Sequence, residues 1–266
     1  MRARALVAGG LAAVLLTGCA QSVDPIERLG KKAAQRVGSY GPEGPSGADG
    51  RPYRHWGLPA PLQAPPRVAA RAAVRRGGLP PVVRRVGTSD KVVFLTYDDG
   101  AERDPRFVDM VRELRLPVSM FLTDSVGGPG YGHFARLQSV GASIQNHTLD
   151  HPALRGLPYP GQRAEICGQQ EKVRSRFGIR PRLFRPPYGT YDRTTLRAAA
   201  DCGLSAVVLW SVSPAGGAPE RPLRAGDIVS VASGEATGPT LTERTTRVLR
   251  EIERRGLTVG RLEDYL

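Results

Sequence analysis

The sequence predicts an α/β protein built on a parallel sheet that closes, or nearly closes, into a barrel. Three observations carry this. From Lys91 onward, short apolar runs alternate with amphipathic stretches, the pattern of a parallel sheet flanked by helices. The alternation repeats often enough to wrap the sheet around. The residues able to do chemistry cluster just after the apolar runs, at the carboxyl ends of strands, where such folds place their sites.

The elements follow in order. "KVVFLTYD" (91–98) reads as a buried strand, and "DPRFVDMVRELR" (104–115) as a helix with Phe107, Val108, Val111 and Leu114 on one face. "PVSMFLT" is a second strand, "HFARLQSVG" (133–141) a helix stopped by Gly141, and "ASIQNH" a third strand. A long polar helix over 160–177 leads to the strand "RLFRPP", and the helix "DRTTLRAAADCG" (192–203) ends at Gly203. "SAVVLWS", "GDIVSVAS" (226–233) and "LTVGRLEDYL" supply the remaining strands, with a final helix over 241–256. The link "LWSVSPAGGAPERPLRAGDIV" is too short and too rich in Pro and Gly for the helix expected between two parallel strands.

What precedes Lys91 has another texture. Arg2 and Arg4 stand before an apolar stretch from Ala5 to Leu16, the layout of an export signal and too short for a membrane span. Leu16-Thr17-Gly18-Cys19 resembles a bacterial lipobox, which implies cleavage before Cys19 and lipidation of that cysteine. The protein is then expected outside the cytoplasmic membrane, anchored by lipid to its outer face. An ordinary signal peptide with an incidental cysteine is the alternative. Residues 31–90 hold eleven Lys/Arg against three acids and so supply +8 of the net charge of +13. Their Pro- and Gly-rich composition buries little apolar surface and predicts an extended, disordered tether. A basic tether can adhere to anionic headgroups or acidic wall polymers, or simply serve as a solvated spacer. The charge therefore carries no nucleic-acid signal. The expected organisation is a lipoprotein signal peptide over 1–18, a tether over 19–88 and a folded domain over 89–266.

Lipidation of Cys19 would leave Cys167 and Cys202. An even remainder in an oxidising compartment predicts a disulfide, with two buried free thiols as the alternative. Neither cysteine lies beside a plausible histidine base.

The chemistry concentrates in three stretches. In "NHTLDH" (146–151), His147 and His151 are four residues apart, and one helical turn would bring both imidazoles to the same side. With one carboxylate they make a three-ligand metal site with open positions. "TYDDG" offers that carboxylate on a neighbouring strand tip: Asp99 can be the third ligand, leaving Asp98 to take a proton from activated water. In "FRPPYG" (184–189), Arg185 can pair with Asp98 and orient it, and Tyr188 can offer its backbone N–H to an oxyanion. Two histidines and a carboxylate suit zinc, and also cobalt, nickel or iron.

T-Y-D-D-G, N-H-T-L-D-H and R-P-P-Y-G, in this order, resemble the first three motifs of the NodB-homology polysaccharide deacetylases, carbohydrate esterase family 4. The resemblance runs from about Val92 to Leu266. It implies a distorted, partly open (β/α) barrel of about seven parallel strands. It also implies a divalent metal, usually zinc, on Asp99, His147 and His151, with Asp98 as base and an acetylated polysaccharide as substrate. The later motifs depart from the family. Ser230 stands where a leucine is expected, Ala232 stands where the general-acid histidine is expected, and no aspartate–tryptophan pair follows Trp210-Ser211. Loss of the acid should hurt amide cleavage more than ester cleavage, because an alkoxide leaves more readily than an unprotonated amine. Two readings follow: a deacetylase biased toward O-acetyl groups, and a glycan-binding pseudoenzyme that keeps its metal.

Overall fold

A computed structural model describes residues 51–66, 78–100, 103–214, 218–232 and 238–266. The expected signal peptide, Cys19 and the tether up to residue 50 lie outside the described residues. Eight strands are present: β1 (Val82–Val83), β2 (Val92–Asp99), β3 (Val118–Leu122), β4 (Ser143–Asn146), β5 (Leu183–Phe184), β6 (Ala206–Val208), β7 (Ile228–Ser230) and β8 (Thr258–Val259). Seven of them run β1-β6-β5-β4-β3-β2-β7, and β8 joins the start of β2. Every ladder is parallel, which makes this the partly open barrel expected.

The strand β2 shows why the sheet curls around a core. Its odd residues Val93, Leu95 and Tyr97 pack with Phe107, Val108, Met110 and Val111 of a helix over Pro105–Leu114. Val248, Leu249 and Ile252 of the helix Leu241–Arg254 complete that layer. The even residues Val92 and Phe94 meet Phe121, Leu183, Val208 and Ile228 from four other strands, with Leu262 and Tyr265. That second cluster is the barrel interior. Alternation along the strand then carries Thr96 and Asp98 onto the same inner side.

The helices are stopped and started by local chemistry. Asp104 accepts the Arg106 N–H, and Asp192 with Thr195 and Thr240 with Glu243 form reciprocal caps. The expected polar helix spans Tyr159–Phe177. Its inner face carries glutamines because it meets polar strand ends: Gln169 donates to the Leu122 carbonyl and Gln170 to those of Pro181 and Cys202. Cys167 in this helix is disulfide-bonded to Cys202, at the end of the helix Arg193–Asp201.

Two expectations need correction. The tether was placed up to residue 88, yet residues 51–66 and 78–88 contain folded segments. Pro52–His55 is a short helix, Leu58 is buried in the main core with Tyr53 and Trp56 packed beside it, and β1 pairs with β6. Several strands are also shorter than expected. The fourth ends at Phe184, because Pro186 and Pro187 have no N–H for a ladder and lead into a 3-10 turn, Pro187–Gly189. The last apolar run gives only β8 and then a 3-10 turn, Leu262–Asp264.

The link between β6 and β7 contains no α-helix among the described residues. The chain instead crosses directly to β7, where Ser211 N–H donates to Ile228 O at 3.0 Å and Ser230 N–H to Val212 O at 2.9 Å. Asp227, fully buried, ties this seam. It accepts both Arg221 Nη atoms at 2.9 Å, the Ser211 hydroxyl at 2.9 Å and the Arg224 N–H at 2.8 Å, with Arg85 Nε 3.5 Å away. Gly226 beside it has φ 82°, and a Cβ there would lie 2.1 Å from the Val86 carbonyl oxygen, so only glycine lets the two segments meet.

Candidate active site and metal centre

The two carboxylates at the tip of β2 part company through one backbone torsion. Asp98 keeps the strand alternation and faces the barrel interior. Asp99 leaves it, with φ 67° and a three-residue turn closed by Gly100 N–H on Asp98 O at 2.8 Å, a strained turn for a residue other than glycine. Gly100 follows at φ 84°, and a Cβ on it would fall 2.8 Å from Phe134. The turn aims Asp99 Oδ1 to within 3.2 Å of His147 Nε2 and 3.0 Å of His151 Nε2, and the two nitrogens are 3.2 Å apart.

The histidines do not meet across a helical turn, as their spacing suggested. Residues 147–151 form a loop after β4, with Thr148 at φ 74° and His151 at φ 60°. Asn146 and Thr148 build it: Asn146 Oδ1 accepts the Thr148 N–H at 3.0 Å, and Thr148 Oγ1 accepts the His151 N–H at 3.1 Å. Asn146 is itself anchored to the Ile166 carbonyl at 2.9 Å and to Gln170 at 3.1 Å. Four of the five non-glycine residues with positive φ among the described residues, namely Asp99, Thr148, His151 and Tyr188, belong to this site. Strain gathered in one place marks a functional constraint.

Protonation makes the cluster informative. His147 Nδ1 lies 2.7 Å from the Arg185 carbonyl, which can only accept, so Nδ1 carries a proton and Nε2 is the nitrogen left to hold a cation. Burial, with the His147 charge, pushes His151 down, outweighing Asp98 and Asp99. Burial pushes the Asp99 carboxyl up, but His147, His151 and Arg185 outweigh it and hold it below the usual carboxylate range. Asp99 Oδ1 is buried with no hydrogen-bond donor. Asp99 Oδ1 and the two Nε2 atoms thus converge on one point. Donors around a small tetrahedral dication stand about 3.3 Å apart, close to the spacing here, so the residues fit a divalent ion.

Asp98 sits beside this cluster under different control. Its Oδ1 accepts Arg185 Nη1 at 2.6 Å, and its Oδ2 accepts the Ser230 hydroxyl at 3.0 Å. Arg185 is wholly buried, stacked 4.2 Å over the Phe121 ring. It also donates to Thr96 Oγ1 at 2.9 Å and to the Val208 and Leu209 carbonyls at 3.3 and 3.4 Å. Tyr188, in the turn after β5 with φ 58°, places its exposed ring against His151, centroids 4.8 Å apart. Every residue singled out in the three motifs therefore comes to one place. Ala232 is exposed just past β7. His55 stacks on Trp56 and His133 packs edge-on against Phe134, and neither joins the cluster of Asp99, His147 and His151. Thr96, Asn146, Thr148 and Ser230 were not legible as site residues. Only the departure from leucine flagged Ser230.

Residues 85–207 match the family described as polysaccharide deacetylase. An uncharacterized protein of Streptomyces coelicolor is 62% identical over 203 residues, covering 74% of this chain and 82% of that protein. The chitooligosaccharide deacetylase of Sinorhizobium fredii is 30% identical over 135 residues, covering 50% of this chain and 62% of that enzyme. A family 4 carbohydrate esterase from Bacillus anthracis superposes with a TM-score of 0.60 at 21% identity, over 69% of this chain and 86% of that one. The fold is thus shared with that structure, and the three strand-end motifs all lie within the residues that match the family. Residues 85–207 of the chain belong to the polysaccharide deacetylase family.

Proposed function

We propose that the protein is a metal-dependent hydrolase that removes acetyl groups from an envelope or extracellular polysaccharide. The carrying observation is the convergence of Asp99 Oδ1, His147 Nε2 and His151 Nε2 within 3.2 Å, which suits a divalent ion, zinc being the best match to the donor set. Such an ion, when bound, supplies Lewis-acid activation of water and of the acetyl carbonyl. Asp98 takes the proton of the attacking water, held in place by Arg185. The Tyr188 N–H, in the turn beside His151, donates to the developing oxyanion.

With Ala232 in place of the histidine, the leaving group receives no proton from that position. General acid catalysis contributes typically ~10²–10⁴-fold, so turnover should favour O-acetyl over N-acetyl groups. Ala232 is also what favours a glycan-binding protein without turnover. Against that reading stands Asp98, since metal retention alone needs no anchored second carboxylate. The Leu16–Cys19 motif supports a lipid anchor on the outer face of the cytoplasmic membrane.

The test is acetate release by the purified full-length chain with zinc or cobalt supplied. Acetylated chitooligosaccharides, peptidoglycan and O-acetylated xylan are the substrates, and Asp98→Asn is the control. Release that vanishes in the control is expected, fastest on the ester. A folded, metal-loaded chain that releases no acetate from any of the three would sink the hydrolase reading in favour of glycan binding.

A further inference from the structure

We infer that Ser230 is a positioning residue for the reaction, fixing the plane of the Asp98 carboxylate; the inference rests on the hydrolase reading above. The grip of Arg185 on Asp98 is incomplete by itself. Only Nη1 reaches the carboxylate, at 2.6 Å, and the same nitrogen also serves Thr96 Oγ1 at 2.9 Å. A two-point guanidinium fork would set the carboxylate plane, whereas a single N–H leaves it free to turn about its own axis. The second point comes from β7, where the Ser230 hydroxyl donates to the other oxygen, Oδ2, at 3.0 Å.

The sheet register explains why this residue is the one that can do it. Ser230 pairs with Thr96 across the β2–β7 ladder, so both side chains point into the barrel, and Asp98 is the next inward residue along β2. Thr96 locks the same two strands together by donating to the Val229 carbonyl at 2.9 Å while accepting from Arg185. The result is a continuous chain of bonds from Val229 through Thr96, Arg185 and Asp98 to Ser230. Ser230 is nearly fully buried, so water is a poor substitute for its hydroxyl. A leucine at this position would remove that donor from Asp98 Oδ2. The departure from the family pattern at 230 is therefore a gained contact to the base rather than simple decay.

The experiment compares the full-length wild type with Ser230→Ala and Ser230→Thr on whichever acetylated substrate the wild type prefers. It reads kcat and KM separately, the visible spectrum of the cobalt-loaded protein, and thermal unfolding. Loss of a hydrogen bond to a charged group should lower kcat about tenfold in Ser230→Ala, with KM and the cobalt spectrum unchanged. Ser230→Thr, which keeps the hydroxyl, should recover most of the rate. A Ser230→Ala rate within about twofold of wild type would overturn the inference, because the lost bond would then have carried no rate. So would a Ser230→Thr rate as low as that of Ser230→Ala, which would make the loss one of packing. A changed cobalt spectrum would also overturn it by moving the effect to the metal ligands. Failure of the hydrolase reading shows itself separately, as an inactive wild type, and takes this inference with it.

Discussion

Asp98 and Asp99 are chemically identical neighbours that receive different surroundings because one obeys strand alternation and the other breaks it. That the pair belonged to a site was legible in the sequence, since two acids at the end of an apolar run are hard to explain otherwise. The torsion that separates them was not, because a positive φ at an aspartate is dictated by what packs around it. Gly100 is the visible trace of that packing. Replacing it with alanine would put a Cβ 2.8 Å from Phe134 at a φ of 84°, and we expect destabilisation of more than about 1 kcal/mol in urea unfolding. The histidine loop makes the same point. A spacing of four suggested a helical turn, but side-chain bonds from Asn146 and Thr148 shape the loop instead. Asn146→Ala touches neither imidazole, yet it should weaken cobalt binding about 10–100-fold by calorimetric titration. An unchanged affinity would show that the loop holds its shape without that anchor.

At the scale of elements, the helices were legible to within a few residues because their caps and stop glycines are local signals. Seven of the eight described strands were legible, with their direction, but overextended, since an apolar run does not say where a ladder loses its partner. The helix Tyr159–Phe177 shows what composition hides. Its polar composition marks no inward face, whereas Gln169 and Gln170 point inward to strand-end and loop carbonyls. The disulfide joins this helix to the end of the next, closing 35 residues. In the chain-entropy model such a link is worth about 3–4 kcal/mol. The Cys167→Ser/Cys202→Ser double variant should lose stability of that order in chemical unfolding, while its cobalt spectrum stays unchanged in the folded protein. A loss below about 1 kcal/mol would mean that packing between the two helices suffices without the bond.

The whole molecule depends on a seam that no motif announces. In the link between β6 and β7, which is too short for a helix, the buried Asp227 gathers Arg221, Ser211, Arg224 and Arg85. Burial pushes its carboxyl up, but the Arg221, Arg224 and Ser211 hydrogen bonds outweigh this and hold it below the usual carboxylate range. A carboxyl depressed in the folded state contributes stability that is present above the unfolded value of about 3.9 and is lost as pH falls through the folded value. Wild-type stability should therefore fall as pH drops below about 4. Asp227→Asn should be less stable at neutral pH, with a shallower acid decline in its melting curves. β1 escaped the sequence for a plain reason. Two apolar residues inside a Pro- and Arg-rich stretch carry no periodicity, and only the waiting edge of β6 makes Val82–Val83 a strand. That dependence runs both ways. A protein shortened to start at Arg85, where the family match begins, would lose β1 and uncover the N–H and C=O groups of β6. An open strand edge recruits further copies of the chain, so the trimmed protein should scatter light and sediment as aggregates where the longer chain remains dispersed.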